Sequence, residues 1–128
     1  MRLAVLLSSA VLLAFGASHA GAGPKLEGTS WVMSSAGKRA PSIGFGADGK
    51  VAGSGGCNRF FGGYSQDGEA LTFSTLGSTR MACPPEVMRK EQAFFALLKA
   101  VRSAKVEGAK LVLRDGGGKA LARLSRRD

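Results

Sequence analysis

The residues of this chain whose types and spacing admit chemistry gather around its two cysteines. Asn58 and Arg59 follow Cys57, and Thr79 and Arg80 precede Cys83. Such a cysteine pair can close a disulfide or contribute to a zinc site. Zinc takes about four ligands from Cys, His or carboxylate, and the one histidine, His19, falls in an N-terminal segment laid out as an export signal. That segment runs from Arg2 through an apolar stretch, Leu3 to Phe15, to the small-residue close Ser18-His19-Ala20. An exported chain meets an oxidising compartment, where a disulfide is the default for two cysteines. The loop closed here would stabilise the fold by roughly 3 kcal/mol in the chain-entropy model. The tie would also gather Arg59, Thr79 and Arg80 beside Asn58. That patch is suited to a carboxylate or phosphate held by fork-shaped guanidinium contacts. The plainer readings are solvated arginines and an Asn58 that forms a turn, tolerating left-handed backbone and bonding its own main chain.

Other chemistries lack their residues. Nucleophilic hydrolysis needs a base near neutral pKa, and no histidine follows the signal. The few carboxylates sit mostly at turns (Asp48, Asp67, Asp115) or on a helix (Glu86, Glu91), and no pair suggests glycosidase chemistry. Gly37-Lys38-Arg39 and Gly49-Lys50-Val51 lack the Ser or Thr of a phosphate-binding loop. The cysteines are too far apart for a Cys-x-x-Cys redox pair. We therefore expect no enzyme, no metal and no cofactor.

The elements that must position these residues belong to one domain. Residues 1–20 read as the signal, 21–25 as a Gly-Ala-Gly-Pro linker and 26–126 as a single small domain. The apolar run of the signal is too short to remain as a membrane-spanning helix, which needs about 20 residues. No Cys stands at the cleavage point to be acylated. A periplasmic or secreted monomer that is not a lipoprotein is expected, with no membrane segment after cleavage. The chain carries 18 Lys and Arg against 9 Asp and Glu. This favours anionic partners such as surface polymers or lipid headgroups, or simply provides a solvated basic surface.

Three Asp-Gly pairs, Asp48-Gly49, Asp67-Gly68 and Asp115-Gly116, mark hairpin turns. Around them Ile43 and Phe45 return through Val51, and Phe60 and Tyr64 return through Leu71 and Phe73. Leu111 and Leu113 return through Leu121 and Arg123. Trp31 with Met33 adds an N-terminal strand, and Lys105 with Val106 a short one before the last hairpin. One segment breaks this pattern. From Pro84-Pro85-Glu86 to about Arg102, Val87, Phe94, Leu98 and Val101 recur at helical spacing. Pro85 and Glu86 suit the helix start, and Lys99 and Arg102 its end. The expected fold is α+β and mainly antiparallel β: a strongly curved sheet or small barrel of about 6–8 strands with one packed helix over about 85–102.

The block Gly53-Ser54-Gly55-Gly56-Cys57-Asn58-Arg59-Phe60-Phe61-Gly62-Gly63-Tyr64, followed by Ser78-Thr79-Arg80-Met81-Ala82-Cys83-Pro84, resembles the META domain, the family of HslJ-like heat-shock proteins. Leu26-Glu27-Gly28-Thr29-Ser30-Trp31 resembles that family's opening, and the likeness runs on to Leu111-Val112-Leu113. It implies a compact antiparallel β fold with a helix, an envelope location, links to heat shock and novobiocin resistance, and no established catalysis. Two functions stay open. One is a non-catalytic envelope protein that supports integrity or stress tolerance through contacts with an envelope protein or anionic polymer. The other is a small-barrel carrier of an apolar ligand near Trp31, Phe45, Phe60 and Phe73. Sequence-specific nucleic-acid binding is not expected, since Phe60, Phe61 and Tyr64 do not line a basic groove.

Overall fold

Alternating apolar residues make the strands, and a computed structural model describes them over residues 23–127. The expected signal and the start of the linker lie outside the described residues. The strands are β1 Ser30–Val32, β2 Ser42–Phe45, β3 Lys50–Ser54, β4 Arg59–Asp67, β5 Ala70–Phe73, β6 Gly77–Ser78, β7 Ser103–Glu107, β8 Lys110–Arg114 and β9 Ala120–Arg127. A 3₁₀ segment, Ser34–Arg39, joins β1 to β2, and the helix α1, Pro85–Ala100, joins β6 to β7.

All strands pair antiparallel in the order β3-β2-β1-β9-β8-β7-β5-β4-β6, and β3 also pairs with β4. The sheet thus curls until its ends meet in a ring, and β6 lies on the edge of β4 opposite β3, where the chain runs on from β5. The sheet has nine strands, against the six to eight expected. The two-residue β6 is too short to show an alternation of its own.

Residues that alternate inward fill the ring. Trp31, Ile43, Phe45, Val51, Phe60, Leu71, Leu111, Leu113 and Leu124 form one buried cluster with Phe94 and Leu98 of α1. Burying each large aliphatic side chain stabilises the fold by roughly 1.5–3 kcal/mol. Phe45 stacks on Phe73 at 6.2 Å and meets the edge of Tyr64 at 5.0 Å, while Phe60 meets Phe94 at 6.0 Å. Of the aromatic residues expected near an apolar ligand, Trp31, Phe45 and Phe60 are buried in this cluster and Phe73 is packed against it.

Each Asp-Gly pair lies at a hairpin. Asp48 and Gly49 both take positive φ between β2 and β3. Between β4 and β5 the two-residue turn is Gly68-Glu69, since Asp67 pairs with Ala70. A further turn, Gly108-Ala109, joins β7 to β8. The last hairpin differs from the expected register. An irregularity at Leu113 and Arg114 shifts the return, so Leu111 and Leu113 pair with Leu124 and Ala122, Arg123 pairs with Val112, and Leu121 is passed over in the ladder while still packing against the core. Its turn is held by Asp115, whose Oδ1 accepts the N–H groups of Gly117 and Lys119 at 3.0 and 2.9 Å. Asp115→Ala should lower stability by about 1 kcal/mol with an unchanged circular-dichroism spectrum, measured by urea unfolding.

The helix ends at Ala100, two residues before the expected Arg102. Val101 turns to extended backbone, and Arg102 then bonds Arg114 of β8 and Leu71 of β5 through its main chain. The Arg102 guanidinium caps the exit by donating to the carbonyls of Lys99 and Val101 at 2.9 and 2.7 Å. No helix among the described residues is long and apolar enough to cross a membrane.

Candidate functional site

The segment Gly55-Gly56-Cys57-Asn58 is the turn between β3 and β4, where Ser54 pairs with Arg59. Gly56 takes φ +115°, which a side chain would strain. Gly55 is required for a different reason: a Cβ there would stand 2.6 Å from Cγ of Glu91 and 2.9 Å from Phe95. The turn is thereby pressed against α1. Cys57 and Cys83 are joined as a disulfide with their Cα atoms 6.2 Å apart, which ties the turn to the entrance of the helix.

Glu91 organises this contact, and its position in the sequence is informative. It falls four residues after Val87 and three before Phe94, in the middle of the apolar stripe of α1, and only 1% of it is exposed. Its Oε2 accepts the N–H groups of Cys57 and Asn58 at 2.9 and 2.5 Å, and its Oε1 accepts Nδ2 of Asn58 at 2.7 Å. A buried carboxylate without such donors would carry a penalty of several kcal/mol. Here every donor comes from one turn.

Asn58 is the second hub, and it is buried as well. It does not take the left-handed backbone expected of a turn-forming Asn; among described non-glycine residues only Asp48 has positive φ. Its side chain instead bridges two segments. Oδ1 accepts the N–H of Met81 at 2.6 Å and the hydroxyl of Thr79 at 3.0 Å, and Nδ2 donates to Glu91 and to the carbonyl of Met81. Because Met81 N–H can only donate and the Glu91 carboxylate accepts, these partners fix the amide orientation. Thr79 Oγ1 in turn accepts the N–H of Arg59 at 3.1 Å.

The four expected patch residues thus divide. Asn58 and Thr79 are bonded to each other and line one groove with Arg80, Asn58 buried and Thr79 exposed. Arg59 and Arg80 are exposed and line different grooves. Arg80 borders a groove of about 560 Å³ between the 76–82 segment and α1, beside Met81 and Met88. Arg59 borders the outer face of the sheet. Across that face the register aligns Arg127, Ser30, Gly44, Ala52, Phe61 and Gly77 in one row over β9, β1, β2, β3, β4 and β6. Ser30, Gly44 and Ala52 form a floor without bulk, and Phe61, 57% exposed, stands at its edge over Gly77. Two adjoining clefts of about 580 and 630 Å³ share this floor. Arg59 and Arg127 line the first and Lys50 the second, and neither is lined by Asp or Glu. This face was not legible as a site, because only the register brings its residues together.

The model of the META domain family matches residues 24–128. An NMR structure of a protein from Burkholderia xenovorans is similar at 26% identity, with TM-score 0.66, over 80% of this chain and 83% of that one. A second NMR structure, 24% identical with TM-score 0.60, matches over 80% and 90% of the two chains. A crystal structure of a DUF4847 family protein from Bacteroides vulgatus shares the fold at 20% identity and TM-score 0.51, over 69% of this chain and 61% of that one. No curated protein matches the chain.

Proposed function

Because the chain belongs to the META domain family, we propose that it is a non-catalytic, exported envelope protein that supports envelope integrity under heat or antibiotic stress by holding an anionic polymer. The observation that carries this reading is the outer sheet face: a flat floor of Ser30, Gly44 and Ala52 bordered by Lys50, Arg59, Arg127 and the exposed ring of Phe61. Cations around a floor free of carboxylates attract polyanions through the summed field, and arginine adds directed contacts to phosphate, sulfate or carboxylate. A non-catalytic role is supported by the buried carboxylate, since Glu91 commits both oxygens to donors of the 55–58 turn.

The test is binding of fluorescent dextran sulfate and of uncharged dextran to the protein, followed by anisotropy. The sulfated polymer should bind and be released as salt rises from about 0.1 M to about 1 M, where the Debye length falls from about 10 to about 3 Å. Arg59→Glu should weaken binding about tenfold, equivalent to about 1.4 kcal/mol. Equal binding of both dextrans, or binding indifferent to salt, would reject the reading.

A further inference from the structure

A different face of the molecule carries an apolar cleft that shares no lining residue with the clefts of the sheet face. The helix stripe Val87, Lys90, Phe94 and Leu97, spaced three, four and three residues apart, lines a cleft of about 280 Å³ together with Ala93. Met33, Ala36 and Pro41 line it from the segment between β1 and β2, and Gly55 and Gly56 of the turn complete it. Val87 and Leu97 are only half-buried, whereas Phe94 and Leu98 of the same helix are buried in the core. Arg39 and Lys90 are the charged residues of the cleft; both are exposed, and no carboxylate lines it. Two acids stand close to it: Glu91, buried behind Gly55 with both oxygens bonded to the 55–58 turn, and Glu86, which meets Lys90 at 3.8 Å in an exposed pair, and such pairs contribute little.

From this arrangement we propose that the cleft binds the aliphatic chain of a free, single-chain anionic amphiphile, with its headgroup held at the mouth by Arg39 and Lys90. The volume argues for one chain, being at the lower end of small-ligand sites, which span roughly 300–1,000 Å³. The apolar lining supplies the attraction. The two cations supply the sign of the headgroup.

The experiment is titration of the isotope-labelled protein with dodecanoate below its micellar concentration, followed by amide chemical shifts. Dodecyltrimethylammonium serves as the cation of equal chain length. Dodecanoate should shift Ala36, Val87, Ala93 and Leu97, and should bind at least about tenfold more tightly than the cation, equivalent to about 1.4 kcal/mol. Ala93→Phe should fill the cleft and abolish these shifts. The surface variant Arg39→Glu/Lys90→Glu, which removes no core contact, should reverse the preference between the two amphiphiles. The proposal is overturned if saturating dodecanoate leaves these amides unmoved, if the cation binds as well as the anion, or if the double variant keeps the wild-type preference. It is also overturned if phosphatidylglycerol vesicles produce the shifts and monomeric dodecanoate does not. Contacts in the free protein between residues before Gly23 and Leu97 would likewise overturn it, by showing the cleft filled by the chain itself.

Discussion

Replacing Glu91 with alanine should lower the melting temperature by about 15 °C or more. The substitution leaves the N–H groups of Cys57 and Asn58 without their acceptor beneath the helix and takes from Nδ2 of Asn58 the shorter of its two bonds. Each buried donor left unpaired costs about 1–3 kcal/mol. A loss of about 4 kcal/mol is a large part of the total stability of a domain, about 5–15 kcal/mol, and each kcal/mol moves the midpoint by about 4 °C or more at this size. Glu91→Gln should cost less. Its one oxygen can still take both backbone N–H groups, while its amide nitrogen faces Nδ2 of Asn58, donor against donor. Calorimetry of the three proteins tests the account: a shift of less than about 3 °C for the alanine variant would mean that water replaces the carboxylate without loss.

Removing the disulfide as Cys57→Ala/Cys83→Ala should cost about 3 kcal/mol, the loop-closure entropy returned to the unfolded chain. The more telling quantity is its coupling to Glu91. The disulfide and the carboxylate hold the same turn: the disulfide joins it to the helix entrance, and the carboxylate to the second turn of the helix beyond. Once either is gone, the 55–58 segment can lift, and donors that the other had stranded reach water. The triple variant should therefore be less destabilised than the sum of the two separate effects, by about 1 kcal/mol or more, since contacts within one network do not add. A four-member urea-unfolding cycle measures this. Strict additivity would show that the two ties act on separate parts of the structure.

Much of this architecture is legible in the sequence because local chemistry determines it. Asp48-Gly49 forms a turn because both residues adopt positive φ. The helix follows from the spacing of Val87, Phe94, Leu98 and Val101, and the Cys57–Cys83 link from the export expected of the N-terminal segment. The family likeness seen in the Gly-Cys-Asn and Thr-Arg-Met-Ala-Cys blocks is borne out over residues 24–128. What escaped depends on contacts distant in sequence. Glu91 reads as one more helix acid until its place within the apolar stripe is weighed, and that place was the available signal. Asn58 resembles a turn residue because its partners, Thr79, Met81 and Glu91, come from two other elements. The register of β9 rests on an irregularity at Leu113 and Arg114 that no periodicity announces. The separation of Arg59 from Arg80 follows from the strand direction at β4 and β6, which places one on the sheet face and the other beside the helix.

The pairing of β1 with β9 carries a consequence for how the molecule is made. Ser30 lies opposite Arg127, so the strand that leaves the ribosome first must wait for the one that leaves last. Contacts of such long sequence separation form late and slowly. Whether the chain emerges from a ribosome or threads through a translocation channel, the ring cannot shut until β9 has cleared the exit. Its apolar interior stays open to chaperones for the whole passage.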